Sequence, residues 1–177
     1  DNLPEILERW AKDSIADSQS NDAYDIGTIF LDLGILIEDF SQGDLANNIE
    51  IAISSYKIAE GILNFQKYPQ QWAETRSNLG FAYLNRIEGN IAKNIETVIA
   101  LSNDALKFLT YKEFPEEWAE MQSNLAEAYR QRIEGDKGKN LELAITCYQN
   151  ALKVYTLTDF PEEWAVIKND LALTFHD

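Results

Sequence analysis

Phe114-Pro115-Glu116-Glu117-Trp118-Ala119 and Phe160-Pro161-Glu162-Glu163-Trp164-Ala165 are the same six residues at two places in the chain, and Tyr68-Pro69-Gln70-Gln71-Trp72-Ala73 is a looser third copy. Trp72, Trp118 and Trp164 follow one another at intervals of 46 residues. A fixed period of this size marks a repeat protein, in which each unit is one supersecondary element that buries its apolar side against its neighbours. Residues 72–117 and 118–163 are identical at 24 of 46 aligned positions, too many for segments that share only composition.

Each unit reads as two helices. The proline of the shared stretch suits the first helical turn, and Glu116 and Glu117 beside it meet the positive end of the helix dipole. The first helix breaks at Arg-Ile-Glu-Gly, residues 86–89 and 132–135, where glycine supplies the backbone freedom that a helix end needs. The polar loops Asn90–Lys93 and Asp136–Lys139 then lead to Asn94 and Asn140, the expected caps of a second apolar-faced helix running to about residues 110 and 156. Upstream, Ile26, Ile29, Phe30, Leu33, Ile37 and Phe40 mark a first helix with cap candidates at Ser20 to Asp22 and a stop near Gly43. Its second helix opens at Asn47 or Asn48 and carries Ile49, Ala52, Ile53, Tyr56, Ala59, Ile62 and Leu63.

The units so defined are residues 26–71, 72–117, 118–163 and a half-unit 164–177, inside an array spanning 21–177. Residues 1–20 precede it as a capping helix and a polar connection; Leu3, Ile6, Leu7, Trp10 and Ala11 give that helix its apolar side. In the half-unit, Trp164, Ile167, Leu171 and Phe175 repeat the first-helix stripe with no second helix to cover it. That pattern is expected of an excerpt from a longer array, or of a chain that covers the stripe by self-association.

The chain has 177 residues, 45% hydrophobic and 11% aromatic, enough for a sizeable core, and no apolar run of the roughly 18 residues needed to span a bilayer. No secretory signal is visible, which makes the cytoplasm the default location. Thirty acidic against fifteen basic residues give a net charge of −15, which repels nucleic-acid phosphate and anionic lipid and favours neutral or basic partners. The same charge also serves simply to keep a repeat protein dispersed. Cys147 stands where the other units have Ser55 and Leu101, as a small buried filler rather than a reactive thiol.

The first helices contain Phe30-x-x-Leu33-Gly34-x-x-Ile37, Leu79-Gly80-x-x-Tyr83, Leu125-Ala126-x-x-Tyr129 and Leu171-Ala172-x-x-Phe175. The second helices contain Ala52-x-x-x-Tyr56, Val98-x-x-x-Ser102 and Ala144-x-x-x-Tyr148, each followed by Ala59, Ala105 or Ala151. This pattern resembles the tetratricopeptide repeat (TPR). It departs from it in having Arg76, Gln122 and Lys168 at a usual aromatic position, and a period of 46 residues rather than the usual 34. The longer unit is similar to the extended TPR arrays of cyanobacterial proteins that often precede a caspase-like CHAT protease domain. The resemblance implies an all-α, right-handed solenoid of antiparallel helical hairpins whose first helices line a concave surface. It further implies a non-catalytic scaffold for protein–protein interaction, binding a peptide or partner helix. The alternative is an intramolecular regulatory or structural arm of a larger protein carrying a protease.

Carried onto this chain, the inward-facing positions implied by the resemblance are Glu74, Ser77, Asn78, Phe81 and Asn85, then Glu120, Ser123, Asn124, Glu127, Arg130 and Gln131. The side-chain amides of Asn78 and Asn124 suit a peptide backbone, because an amide both donates and accepts; bonding within the array is the competing use. The lysine and arginine clamp that some TPR domains use on a chaperone's C-terminal carboxylate has no counterpart, since Glu74 and Glu120 stand in the groove.

Nothing in the sequence assembles a catalytic, metal or cofactor site. His176 has no nucleophile or ligand partner at a useful spacing, and Glu116-Glu117 and Glu162-Glu163 are explained by the helix dipole rather than by acid–base catalysis. The tryptophans are expected to pack between units rather than anchor a ligand. Arg86 and Arg132 are expected to form helix-end charge arrangements with Glu88 and Glu134.

Overall fold

The computed structural model describes residues 3–16, 22–38, 40 and 44–176, and among these the regular secondary structure is all α-helix, joined by turns and short loops. The polar connection from Asp17, the cap candidates Ser20 and Asn21 and the stop at Gly43 lie outside the described residues, and Asp22 is the first residue of its helix. Two compact units meet in sequence between Gly89 and Asn90, inside the second repeat rather than at a repeat boundary.

The first unit holds α1 (Leu3–Ala16), α2 (Asp22–Glu38), α3 (Leu45–Ile62) and α4 (Pro69–Leu84). α3 is its centre, packed against α1, α2 and α4. Its face Ile49, Ala52, Ile53, Tyr56 and Ala59 is buried, as the spacing predicts, and meets Phe30 and Leu31 of α2 and Leu79 and Ala82 of α4 in one core. Tyr56 is wholly buried, and its hydroxyl donates to Glu38 Oε2 at 2.8 Å, which gives the polar tip of an apolar ring its partner. α2 approaches this helix closely at Gly27 and Gly34: a Cβ on Gly27 would lie 2.6 Å from Leu63 Cγ, and one on Gly34 would overlap the Tyr56 ring. Trp10 of α1 closes the near end over Phe30, ring centroids 5.2 Å apart.

The second unit holds α5 (Ile91–Ala105), α6 (Pro115–Gln131), α7 (Lys137–Ala151) and α8 (Pro161–Thr174). α6 packs against α5 on one side and α7 on the other, and α7 packs on to α8. Ala119, Ala126, Ala144 and Ala151 are fully buried, so small side chains set the approach of α6 and α7, while Tyr148, Met121 and Leu125 fill the remaining volume.

The same end devices recur every 46 residues. Pro69, Pro115 and Pro161 open their helices, each behind an aromatic residue held outside the helical region, because proline disfavours the helical conformation of the residue before it. Gly89 and Gly135 adopt φ of +83° and +85°, left-handed values that other residues rarely take.

The caps of the second helices correct the sequence reading. They are Asp44, Asn90 and Asp136, whose side chains accept from the backbone N–H groups of Ala46, Lys93 and Lys139. Asn48, Asn94 and Asn140, four residues further on, are buried inside the helices. Helical side chains lean toward the N-terminus, so an asparagine one turn in reaches the carbonyl of the incoming loop. Asn48 Nδ2 donates to Phe40 O at 3.0 Å and Asn140 Nδ2 to Glu134 O at 2.8 Å. The second helices also end at Ala105 and Ala151, five residues short of expectation, where Lys107 N→Asp104 O and Lys153 N→Asn150 O tighten the chain into shorter turns.

Candidate interaction surface

The tryptophans sit where each first helix begins. Trp72 is buried, with Phe65 edge-on at 5.3 Å and the Arg76 guanidinium 4.9 Å above its ring; Trp118 makes the same edge contact with Tyr111 at 5.3 Å. Arg76, at a position that the resemblance would make aromatic, thus stacks on an aromatic ring and also reaches Glu60 at 3.2 Å.

Arg86 and Arg132 form a second repeated device, with partners the sequence reading did not name. Arg86 is bidentate to Glu50 at 2.6 and 2.8 Å, and Arg132 to Glu96 at 2.6 and 3.0 Å. Each guanidinium also lies over the tyrosine three residues earlier, 5.7 Å from Tyr83 and 6.0 Å from Tyr129. The hydrogen bond to the glutamate is the largest influence raising each arginine's pKa; Glu88 and Glu134 add a weaker Coulombic attraction. These pairs fix the end of a first helix to the second turn of the preceding second helix. The interval of 36 residues, repeated twice, is the signal that would have found them.

The expected surface residues divide between the units. In the first, Glu74, Phe81 and Asn85 are exposed and Asn78 is half-buried, whereas Ser77 faces the interior. Asn85 ends α4, its Nδ2 donating back to Phe81 O at 3.0 Å. Phe81, 52% exposed, lies two turns from Glu74 on the same helix face. Glu74 has its pKa raised, first by partial burial and then by the like charge of Asp32 on α2. Asp32 was missed by sequence reasoning, although Asp32, Asn78, Asn124 and Asp170 occupy one column of the repeat.

In the second unit, Glu120, Ser123 and Asn124 are half-buried, and Glu127 anchors an internal cluster. Glu127 accepts from Arg130 at 2.6 and 2.9 Å, from Gln131 and from the Tyr148 hydroxyl at 2.7 Å. Burial alone would push its pKa up; the hydrogen bonds from Arg130, Gln131 and Tyr148 outweigh that and hold it below the ordinary carboxylate value. Asp170 of α8 is shifted up, by burial and then by Glu127, with Arg130 acting in the opposite direction. Three of the expected contact residues, Glu127, Arg130 and Gln131, are therefore engaged with one another. The first unit's Asp32–Glu74 pair is different, since no cation contributes to the shift of Glu74.

Cys147 is buried, and burial pushes its thiol up to about 11. Among the described residues no group of three or more His, Cys, Asp or Glu side chains is placed to hold a metal, and no helix is long and apolar enough to cross a membrane. No protein-family model, curated protein or solved structure matches the chain significantly.

Proposed function

We propose that the chain is a non-catalytic interaction scaffold, a TPR-like array of helical hairpins that binds a neutral or basic peptide or partner helix along its first helices. The observation that carries this reading is the first unit's surface. There partial burial and then the like charge of Asp32 raise the pKa of Glu74, and Phe81 offers an exposed aromatic ring on the Glu74 face of α4. A lysine or arginine seated between the carboxylates relieves their repulsion, while an apolar neighbour two or three residues away covers Phe81. Affinity then comes chiefly from the buried ring and selectivity from the charge pair. The repeated caps, Arg–Glu pairs and close helix approaches keep the face rigid, so little ordering is spent on binding.

A random-peptide display library panned against the immobilised chain tests this. The expected enrichment is for a basic residue close to an aromatic or branched aliphatic one, with binding lost in Glu74→Lys and in the Glu74→Lys, Glu120→Lys double variant. Peptides that bind these variants as well as they bind the unchanged chain would place recognition elsewhere.

A further inference from the structure

Two stripes of each first helix can be told apart by comparing α6 with α8. Met121, Leu125 and Ala128 of α6 are buried, and so are their counterparts Ile167, Leu171 and Thr174 of α8; this stripe faces the preceding second helix, present for both. Ala119, Gln122 and Ala126 are buried as well, but their counterparts Ala165, Lys168 and Ala172 are exposed. That second stripe faces the following second helix. The hydrogen bond from Asn150 Nδ2 of α7 to Gln122 Oε1, 3.3 Å, confirms the assignment for α6. The other end of the chain provides the converse: in α2 the stripe of Gly27, Phe30 and Gly34 is covered by α3, while Ile29 and Leu36, counterparts of Met121 and Ala128, are 50% and 65% exposed.

We infer that the open stripe of α8 is a docking face for an amphipathic helix seated as α7 is seated on α6, carrying a carboxylate opposite Lys168. The face has the small residues that allow close approach, Ala165 and Ala172, flanked by exposed Val166, Leu173 and Phe175, the last 67% exposed. Two exchanges define how the occupant differs from α7. Lys168 replaces Gln122; it lies 6.0 Å over the Trp164 ring and has no carboxylate partner among the described residues, so the residue in Asn150's place must be acidic. Leu173 replaces Glu127, which removes the acceptor used by the Tyr148 hydroxyl, so the residue in Tyr148's place must be an apolar ring.

The probe is a peptide of residues 136–156 with Tyr148→Phe, stapled between positions 142 and 146 on its exposed side so that helix formation costs little on binding. It is prepared with Asn150→Glu or Asn150→Lys and titrated with the full chain by fluorescence anisotropy. The N150E peptide is expected to bind saturably and at least tenfold more tightly than the N150K peptide. The overall charge of the chain favours the opposite order, so this preference reports the local pair. Lys168→Glu should reverse it, and Ala172→Arg, at an exposed position, should abolish binding of both peptides without changing the melting temperature. Absence of binding, or a preference unaltered by Lys168→Glu, would overturn the inference. So would sedimentation showing a dimer that Ala172→Arg dissociates, because the face would then belong to a second copy.

Discussion

Replacing Gly34 by alanine sets two effects of opposite sign against each other. An alanine inside a helix is favoured over glycine by about 1 kcal/mol, from backbone entropy alone. At this position, however, the new Cβ would overlap Tyr56 at three ring atoms, all within 3 Å. The ring has no free volume to move into, being fully buried, and moving it would strain or break the 2.8 Å bond from its hydroxyl to Glu38. Overpacking of a filled core costs about 1–3 kcal/mol, and losing a hydrogen bond to a charged acceptor adds about 1.5–3 kcal/mol where the ring is displaced. The expected net result is a loss of up to about 2 kcal/mol if the ring keeps its hydrogen bond and of about 1.5–5 kcal/mol if it is displaced, read as a lower urea midpoint at constant m-value by far-UV circular dichroism. The second variant is Tyr56→Ser, which places at this position the residue that Ser102 supplies one period later. In that background Gly34→Ala should no longer destabilise, and the cycle should show a coupling of more than 1 kcal/mol. A Gly34→Ala chain about 1 kcal/mol more stable than the parent, as helix propensity alone dictates, would refute the close approach of α2 and α3.

Asp136→Ala should cost about 1 kcal/mol through loss of a cap, and Asn140→Ala about 1–3 kcal/mol because it leaves the Glu134 carbonyl without its donor; equal effects of the two on urea midpoints would contradict the division of labour between them. Glu127 has a lowered folded-state pKa, so its stabilisation is present above the unfolded carboxylate value near 4.5 and is lost as pH falls through the lower folded value. Glu127→Gln should therefore destabilise by about 1–3 kcal/mol at pH 7, with the gap to wild type closing below about pH 4; a gap independent of pH would remove Glu127 as the centre of the cluster. Cys147 should resist iodoacetamide at pH 8 in the folded chain and react once urea unfolds it, because burial holds the thiol near 11. Rapid alkylation without denaturant, followed by mass spectrometry, would show that the α6–α7 core opens.

The helices were legible because their signals are local and repeated at one interval: Pro at the start three times, Gly after the end twice, and an apolar stripe within each. The buried face of α3 followed from the same periodicity. The cap positions did not, because Asn90 and Asn94, like Asp136 and Asn140, are two cap-forming residues one turn apart, and only the direction of the side chain decides which meets the free N–H groups. The Arg–Glu pairs were illegible for a different reason. Arg86 stands two residues from Glu88, and nothing local reveals that its fork closes on Glu50, 36 residues away. Among the surface positions expected on α4, Glu74 and Phe81 are exposed, whereas Ser77 is buried. Glu127, Arg130 and Gln131 satisfy one another at i, i+3 and i+4, an internal use that competes with the contact role expected of them.

The scaffold proposal is tested most directly by NMR on the full chain, titrated with a display-selected basic peptide and observing the side-chain amides of Asn78 and Asn85 and the backbone amides of Glu74 and Phe81. Saturable shift changes concentrated at these four residues of α4, and lost in Glu74→Lys, are expected. Shifts confined to α8, or spread over the chain without saturation, would contradict it.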